Sequence, residues 1–319
     1  MIKPSGIFFL VFILASKICF GQEIKCSPEG NKLDYGKINV RCTKDHVCRV
    51  FVDNNELYTE GLDTLENIKF WRKIMVLSPD SGIVNIKSTR ERLLMISEKE
   101  WDIIRSEKGN LWLDSIRSFR GIDSTQKIVF TTGKKDFYQI EKAYVEIEQG
   151  IKIFEENNTD PFYAQAILLI ESPGRLAKSN VGAYGPFQLM KSVARHQGLK
   201  VNKYVDERTN FAKSAWAAAR LIRTICVPYT NTMLDKRGIA HCESDLWYRL
   251  LVLHSYHAGT GNVSKALDKI NPTVGNMDLI KQLWQTSAGA FGPHSQNYSQ
   301  VAIAAMFELD KLTGGIPVQ

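Results

Sequence analysis

From Asp136 to the C-terminus, apolar residues recur at helical spacing in one segment after another. Phe137 to Glu156 sets Ile140, Tyr144, Ile147, Ile151 and Phe154 on one stripe. Asp160-Pro161 reads as a helix start, with Asp as the cap and Pro at the first helical position. That helix runs through Phe162 to Ile170 and delivers Glu171 at its C-terminal end. Asn210 to Ile225 is Ala-rich and amphipathic. Asp245 to Ala258 is another apolar helix, stopped by Gly259. Tyr298 to Leu312 is the last, ended by Gly314-Gly315. Val227 to Gly238 reads as a loop, and Val227 to His241 as helix-poor.

Residues 22–135 read differently. Val47 to Val52, Ile83 to Ile86 and Lys127 to Thr131 have the composition of short strands. Between them, Thr89 to Arg105 carries Leu93, Leu94, Ile96, Trp101 and Ile104 mostly on one side, which predicts a helix capped by Ser88 or Thr89. No catalytic grouping stands out here. The expected architecture is α+β: a mostly α-helical domain over 136–319, preceded by a smaller mixed α/β region over 22–135.

Composition narrows the class. Of 319 residues, 44% are hydrophobic and 24% charged, which excludes a disordered chain and a small disulfide knot. The net charge of +7 invites a nucleic-acid reading, but the excess is spread along the chain without a basic block. Affinity for phosphates needs clustered cations, so no nucleic-acid partner is expected.

Met1 to Gly21 has the layout of a secretory signal peptide. Lys3 precedes the apolar run Ile7 to Ala15, and Cys19 and Gly21 set up cleavage before Gln22. The run is too short to span a bilayer, which takes about 20 residues. Lys17 makes Cys19 a poor lipidation site. Export permits disulfides. Cleavage leaves Cys26, Cys42, Cys48, Cys226 and Cys242, an odd number, so at least one is free or paired elsewhere. A Cys226–Cys242 bridge would staple the Val227–His241 stretch. One local pair is expected among Cys26, Cys42 and Cys48. A zinc site is disfavoured: there is no Cys-x-x-Cys pair, and His254-x-x-His257 lacks a third ligand nearby.

Glu171 is the residue with chemistry. It follows an uncharged stretch ending in Ala166-Ile167-Leu168-Leu169-Ile170. A carboxyl beside such a surface is poorly solvated, and the negative end of the helix dipole pushes the same way. Both raise its proton affinity, which suits a general acid. Ser172 follows directly. Then come Gly182-Ala183-Tyr184-Gly185-Pro186-Phe187-Gln188-Leu189-Met190 and, later, Ser255-Tyr256-His257-Ala258-Gly259. The glycines allow sharp turns or a close approach to a ligand, and Gln188 offers an amide to a neutral polar substrate.

These residues together resemble the SLT-type lytic transglycosylases of the lysozyme-like superfamily. The matching elements are Glu171-Ser172, then Gly182-Ala183-x-Gly185-x-x-Gln188-x-Met190, then Tyr256-x-Ala258-Gly259. Asp206-Glu207-Arg208 before an Ala-rich helix resembles the membrane-bound type D branch, and Ser295-Gln296-Asn297-Tyr298 resembles the late Thr-x-x-Tyr element. The likeness covers about 137–312. Four positions depart from it. Pro186-Phe187 stands for Leu-Met, Pro173 for a usual Gly, and His257 for the family's Asn, thought to help position the substrate or the catalytic region. Val227–Cys242 resembles an insertion.

The resemblance implies a lysozyme-like fold and cleavage of the β-1,4 bond between N-acetylmuramic acid and N-acetylglucosamine in peptidoglycan. Glu171 would be the single catalytic acid and base, leaving a 1,6-anhydro-muramyl end. Ser172 would orient the acid or bind an N-acetyl carbonyl. Gln188 and Met190 would hold the sugar amides, Tyr256 would hydrogen-bond Glu171, and Tyr298 would line the cleft. No cofactor and no metal is implied, and the expected place of action is the periplasm or cell envelope. Residues 22–135 would serve substrate positioning or docking to a cell-wall or secretion-machinery protein. Two alternatives stand beside this reading: a hydrolytic muramidase with a second carboxylate, for which Asp206 and Glu207 are the candidates, and a non-catalytic peptidoglycan-binding protein.

Overall fold

The computed structural model describes residues 38–43, 47–173, 178–179 and 181–314. The expected leader, 1–21, and Cys26 lie outside them. The fold is α+β, a helical body with a small strand region on its N-terminal side.

The described chain begins with a hairpin of β1 (Ile38–Cys42) and β2 (Cys48–Val52), antiparallel, with Ile38 opposite Val52. A Cys42–Cys48 disulfide closes it beside the turn, which settles the local pair. Two helices follow, α1 (Asn55–Thr59) and α2 (Glu66–Val76). Next come β3 (Ser81–Ile86) and β4 (Arg92–Ser97), then helices α3 (Glu98–Ile103) and α4 (Gly109–Arg120), then β5 (Ile128–Thr132). β3 lies between β4 and β5, antiparallel to both. Trp101 of α3 stacks on Phe130 of β5, ring centres 5.2 Å apart, and so holds α3 on the sheet.

The single helix expected over Thr89–Arg105 does not form. Arg92 to Ser97 is a strand, with Leu94 opposite Val84, and helix begins only at Glu98. A local signal sets that boundary: Ser97 accepts from the Glu100 N–H while the Glu100 carboxylate accepts from the Ser97 N–H. Pairing with β3 satisfies the backbone of the apolar run Leu93 to Ile96, which helical spacing alone does not separate from a helix.

The helical body starts with a short 3-10 turn, Ile140–Ala143, leading into α5 (Tyr144–Glu156). α6 (Pro161–Glu171) follows, capped by the Asp160 carboxylate, which accepts from the Phe162 N–H at 2.9 Å. Every residue from Pro161 to Ile170 is buried, so α6 is apolar all round because it is surrounded all round. Then come α7 (Lys191–His196) and α8 (Phe211–Leu221). A π turn, Ile222–Cys226, carries α8 straight on into α9 (Val227–Asp235). The expected loop at Val227–Gly238 is therefore mostly helix. Pro228 falls just after the π turn, at the start of α9. The Cys226–Cys242 staple is not present. Continuing the helix turns Cys226 inward as a free, buried thiol, while Cys242 is disulfide-bonded elsewhere.

α10 (Leu246–Ala258) is buried from Leu246 to Ser255. After α11 (Thr260–Ile270) and α12 (Met277–Leu283), α13 (Pro293–Leu312) closes the body, starting at Pro293 and thus a turn before the expected Tyr298. No helix among the described residues is long and apolar enough to cross a membrane.

The hairpin and α2 are built onto this body. Gln165 of α6, fully buried, accepts from the Val52 N–H at 2.9 Å and donates to the Val52 carbonyl at 3.2 Å. It thereby does for β2 what a neighbouring strand would do. Arg41 and Asn54 both bond to Asp310 of α13, and Arg72 of α2 pairs with Glu308 at 2.7 Å. One apolar core runs from Phe51 through α6 to Leu309. A Gln165→Leu substitution strands both polar groups of Val52 in that core. It should cost about 2–4 kcal/mol, read as a lowered midpoint in urea unfolding.

Candidate active site

Glu171 sits where the buried helix α6 runs out. The residue is half-buried, but the carboxyl is deep enough in protein to lose most of its hydration. That desolvation pushes its pKa up to about 7, against a smaller lowering by the Tyr298 hydroxyl. The contact with Tyr298 is close without reaching full hydrogen-bond geometry, and the buried hydroxyl has no other partner. Tyr256 and Tyr138 complete the surround. Burial first, and the Glu171 charge second, raise the proton affinity of both phenols. Tyr138, on the approach to α5, lies outside every motif read from the sequence.

Ser172, Gln188, Met190 and Tyr256 lie in or against the turn at 182–190. Ser172 is buried, and its hydroxyl donates to the Pro186 carbonyl at 2.8 Å. It ties the end of α6 to the glycine turn. Tyr256 donates to the Phe187 carbonyl at 2.6 Å, so the expected hydrogen bond to Glu171 is replaced by one to that turn. Both bonds satisfy backbone carbonyls at a sharp reversal, where no regular element can do so. Phe187 itself points into the core and stacks on Phe154, ring centres 5.5 Å apart, which accounts for an apolar residue there.

The turn closes on itself between Tyr184 and Leu189, which exchange both backbone hydrogen bonds at 3.2 Å. Gln188 is half-buried and adopts a left-handed backbone at φ 45°, unusual for a side chain of its kind. Its backbone N–H and its side-chain amide both donate to the Gly185 carbonyl, at 3.0 and 2.9 Å, and these bonds offset the strain. Met190 stands exposed at the rim.

Arg208 holds this turn, and sequence reasoning gave it no such part. Its guanidinium is buried and donates to the carbonyls of Gly182 and Leu189, each at 2.9 Å. Asp206 grips the other side of the fork at 2.9 and 2.7 Å. The backbone carbonyl of Arg208 packs so close to Gly185, at φ 87°, that a Cβ there would lie 1.9 Å from it. Only glycine fits. The readable signal is an Asp-x-Arg pair just ahead of the Asn210 helix cap; the partner of that pair is not readable, because it lies some twenty residues upstream.

Neither candidate second carboxylate serves the site. The bond to Arg208 holds Asp206 below the usual range, and the one to Lys213 does the same for Glu207. His254 is buried among Ser299, Trp284 and Phe291, and desolvation drives its pKa down to about 3. It is a neutral packing residue. His257 is exposed and stacks on Tyr298, ring centres 4.2 Å apart at 21°.

Burying an ionisable acid has a thermodynamic signature. Because the folded pKa of Glu171 lies above its unfolded value, the folded state binds its proton more tightly. Stability should fall as pH rises from about 4.5 through about 7. Glu171→Gln removes that loss. The variant should melt higher than the wild type at pH 8, and the two should converge below pH 4.5.

No curated protein matches the chain. The family model of the transglycosylase SLT domain matches residues 150–273, a stretch that holds Glu171, the glycine turn, Arg208 and Tyr256. That stretch of the helical body is similar to SLT-type, lysozyme-like transglycosylase domains, a class that acts on peptidoglycan in the cell envelope.

Proposed function

We propose that the protein is a peptidoglycan lytic transglycosylase in which Glu171 alone serves as acid and then as base. The observation that carries this reading is a lone carboxyl, desolvated to a pKa of about 7 at the end of α6, among three phenols. Ordinary glycosidases use two carboxylates, and substrate assistance is the known alternative. Among the described residues no second carboxylate acts on Glu171.

In the proposed reaction, Glu171 gives its proton to the glycosidic oxygen as the bond from that oxygen to the muramyl C1 breaks. The acetamido oxygen of the same sugar bonds to C1 and carries the positive charge. Glu171, now ionised, takes the proton of the C6 hydroxyl as its oxygen displaces the acetamido oxygen from C1. The product is a 1,6-anhydro ring, and the acid is regenerated. Tyr298 and Tyr256 flank the acid. Gln188 and Met190 face the sugar amides from the turn that Ser172 and Arg208 hold in place. Asp206-Glu207-Arg208 ahead of an Ala-rich helix supports a likeness to the membrane-bound type D branch.

Residues 1–21 act in this reading as an export signal, placing the enzyme in the periplasm or cell envelope. Residues 136–319 form the catalytic domain. Residues 22–135 position the strand or dock a cell-wall or secretion-machinery partner.

Digestion of purified peptidoglycan followed by mass analysis of the muropeptides tests the proposal. The wild type should leave ends lighter by one water than hydrated ends, and Glu171→Gln should leave none. Hydrated ends would make the protein a hydrolytic muramidase. Binding without cleavage would make it a wall-binding protein. The protonated acid is the active form, so kcat/KM should fall about tenfold per pH unit above about 7.

A further inference from the structure

One phenol approaches the acid closely, and its ring is held from two sides. The Tyr298 hydroxyl is buried, approaches Glu171, and has no other partner. A phenol in that state keeps its aim only if its ring is held. On the inner side α13 is fixed to α10 through a polar chain. Trp284 donates its indole N–H to the Ser299 hydroxyl at 2.8 Å, and that hydroxyl shares a second hydrogen bond with Nε2 of His254 at 2.9 Å. On the outer side the cover is His257, one turn further along α10, lying nearly parallel to the Tyr298 ring at 4.2 Å. Under it Tyr298 is only 6% exposed.

We propose that His257 is a positioning residue of this site: its imidazole, stacked on Tyr298, keeps the Tyr298 hydroxyl on the Glu171 carboxyl and so sets where activity falls away with rising pH. The inference rests on the reading of Glu171 as the acid. The shorter, non-aromatic Asn that the family places here offers no ring to stack, so this device belongs to the present chain.

The electrostatics around the stack are consistent with a neutral imidazole at working pH. Burial of its inner edge and the like charge of His294, on the first turn of α13, hold the His257 pKa down to about 4. The other groups facing it are Tyr298 from α13 and His254 from its own helix; Glu171, from α6, meets the opposite end of Tyr298. The titration of His257 is thus well separated from that of Glu171. The effect of His257 is exerted through the phenol.

The sign follows from the hydroxyl. A donor to the carboxylate favours the ionised form, so releasing Tyr298 raises the affinity of Glu171 for its proton. In His257→Ala the alkaline limb of kcat/KM should move up by about half a unit. The plateau should drop about tenfold, because the carboxylate formed in the reaction has lost its donor. His257→Phe keeps a ring on Tyr298 and should restore both limb and plateau. His257→Asn should behave like the alanine variant and replaces it as the test if that variant does not fold.

Tyr298→Phe should reproduce the shift, and adding His257→Ala to it should change the limb no further. An unmoved limb in His257→Ala and His257→Asn, or an undiminished shift in the Tyr298→Phe background, would overturn the proposal. Failure of the underlying reading looks different, since Glu171→Gln would then keep its activity.

Discussion

A helix buried on every side can carry almost nothing polar, and α6 sets the terms for the rest of the molecule. Its residues from Pro161 to Ile170 are enclosed by neighbouring helices and by β2. Its cap, its amide and its acid are each met in a specific way. Asp160 caps the start and pairs with Arg249 at 2.7 Å. Gln165 is spent on Val52. Glu171, the last residue, has only a weak phenol contact to offset its loss of water. The fold thus builds an under-solvated carboxyl by running out of helix at the edge of the core.

Around that carboxyl the chain has little regular structure, and polar side chains hold it instead. Ser172, Tyr256 and Arg208 approach the turn at 182–190 from three different segments and between them take up four of its carbonyls, those of Pro186, Phe187, Gly182 and Leu189. Side-chain donors of fixed geometry suit this task, since a backbone that reverses through glycines and a left-handed Gln188 cannot pair with itself throughout. Strain at the turn and rigidity of its supports go together.

How much of this could be read from the amino acids depended on range. Caps and stripes are local, so α5, α6, α8, α10 and α13 were legible, along with the acid at the end of α6. Leu93 to Ile96 was misread because an apolar run suits a strand or a helix equally, and the deciding partner, β3, is a tertiary fact. Cys226 was misassigned because the π turn that keeps the helix going leaves no mark that spacing can reveal. Tyr138 and Arg208 were invisible as site residues for the same reason: each acts on a segment far away in sequence. The family match ends at residue 273, so Tyr298 rests on geometry rather than on the match.

The polar ties of the hairpin set an order of assembly. Val52 finds its partner 113 residues later in Gln165, and Arg41 finds Asp310 only 269 residues later. A chain that emerges N-terminus first therefore presents β1 and β2 long before anything can complete them. Such distant closures are slow to form and leave strand edges open meanwhile. The Cys42–Cys48 bridge spans only the local turn, so it can form at once and hold the hairpin in register until α13 arrives. Among the described residues, the first structure to appear is a template kept waiting for the last.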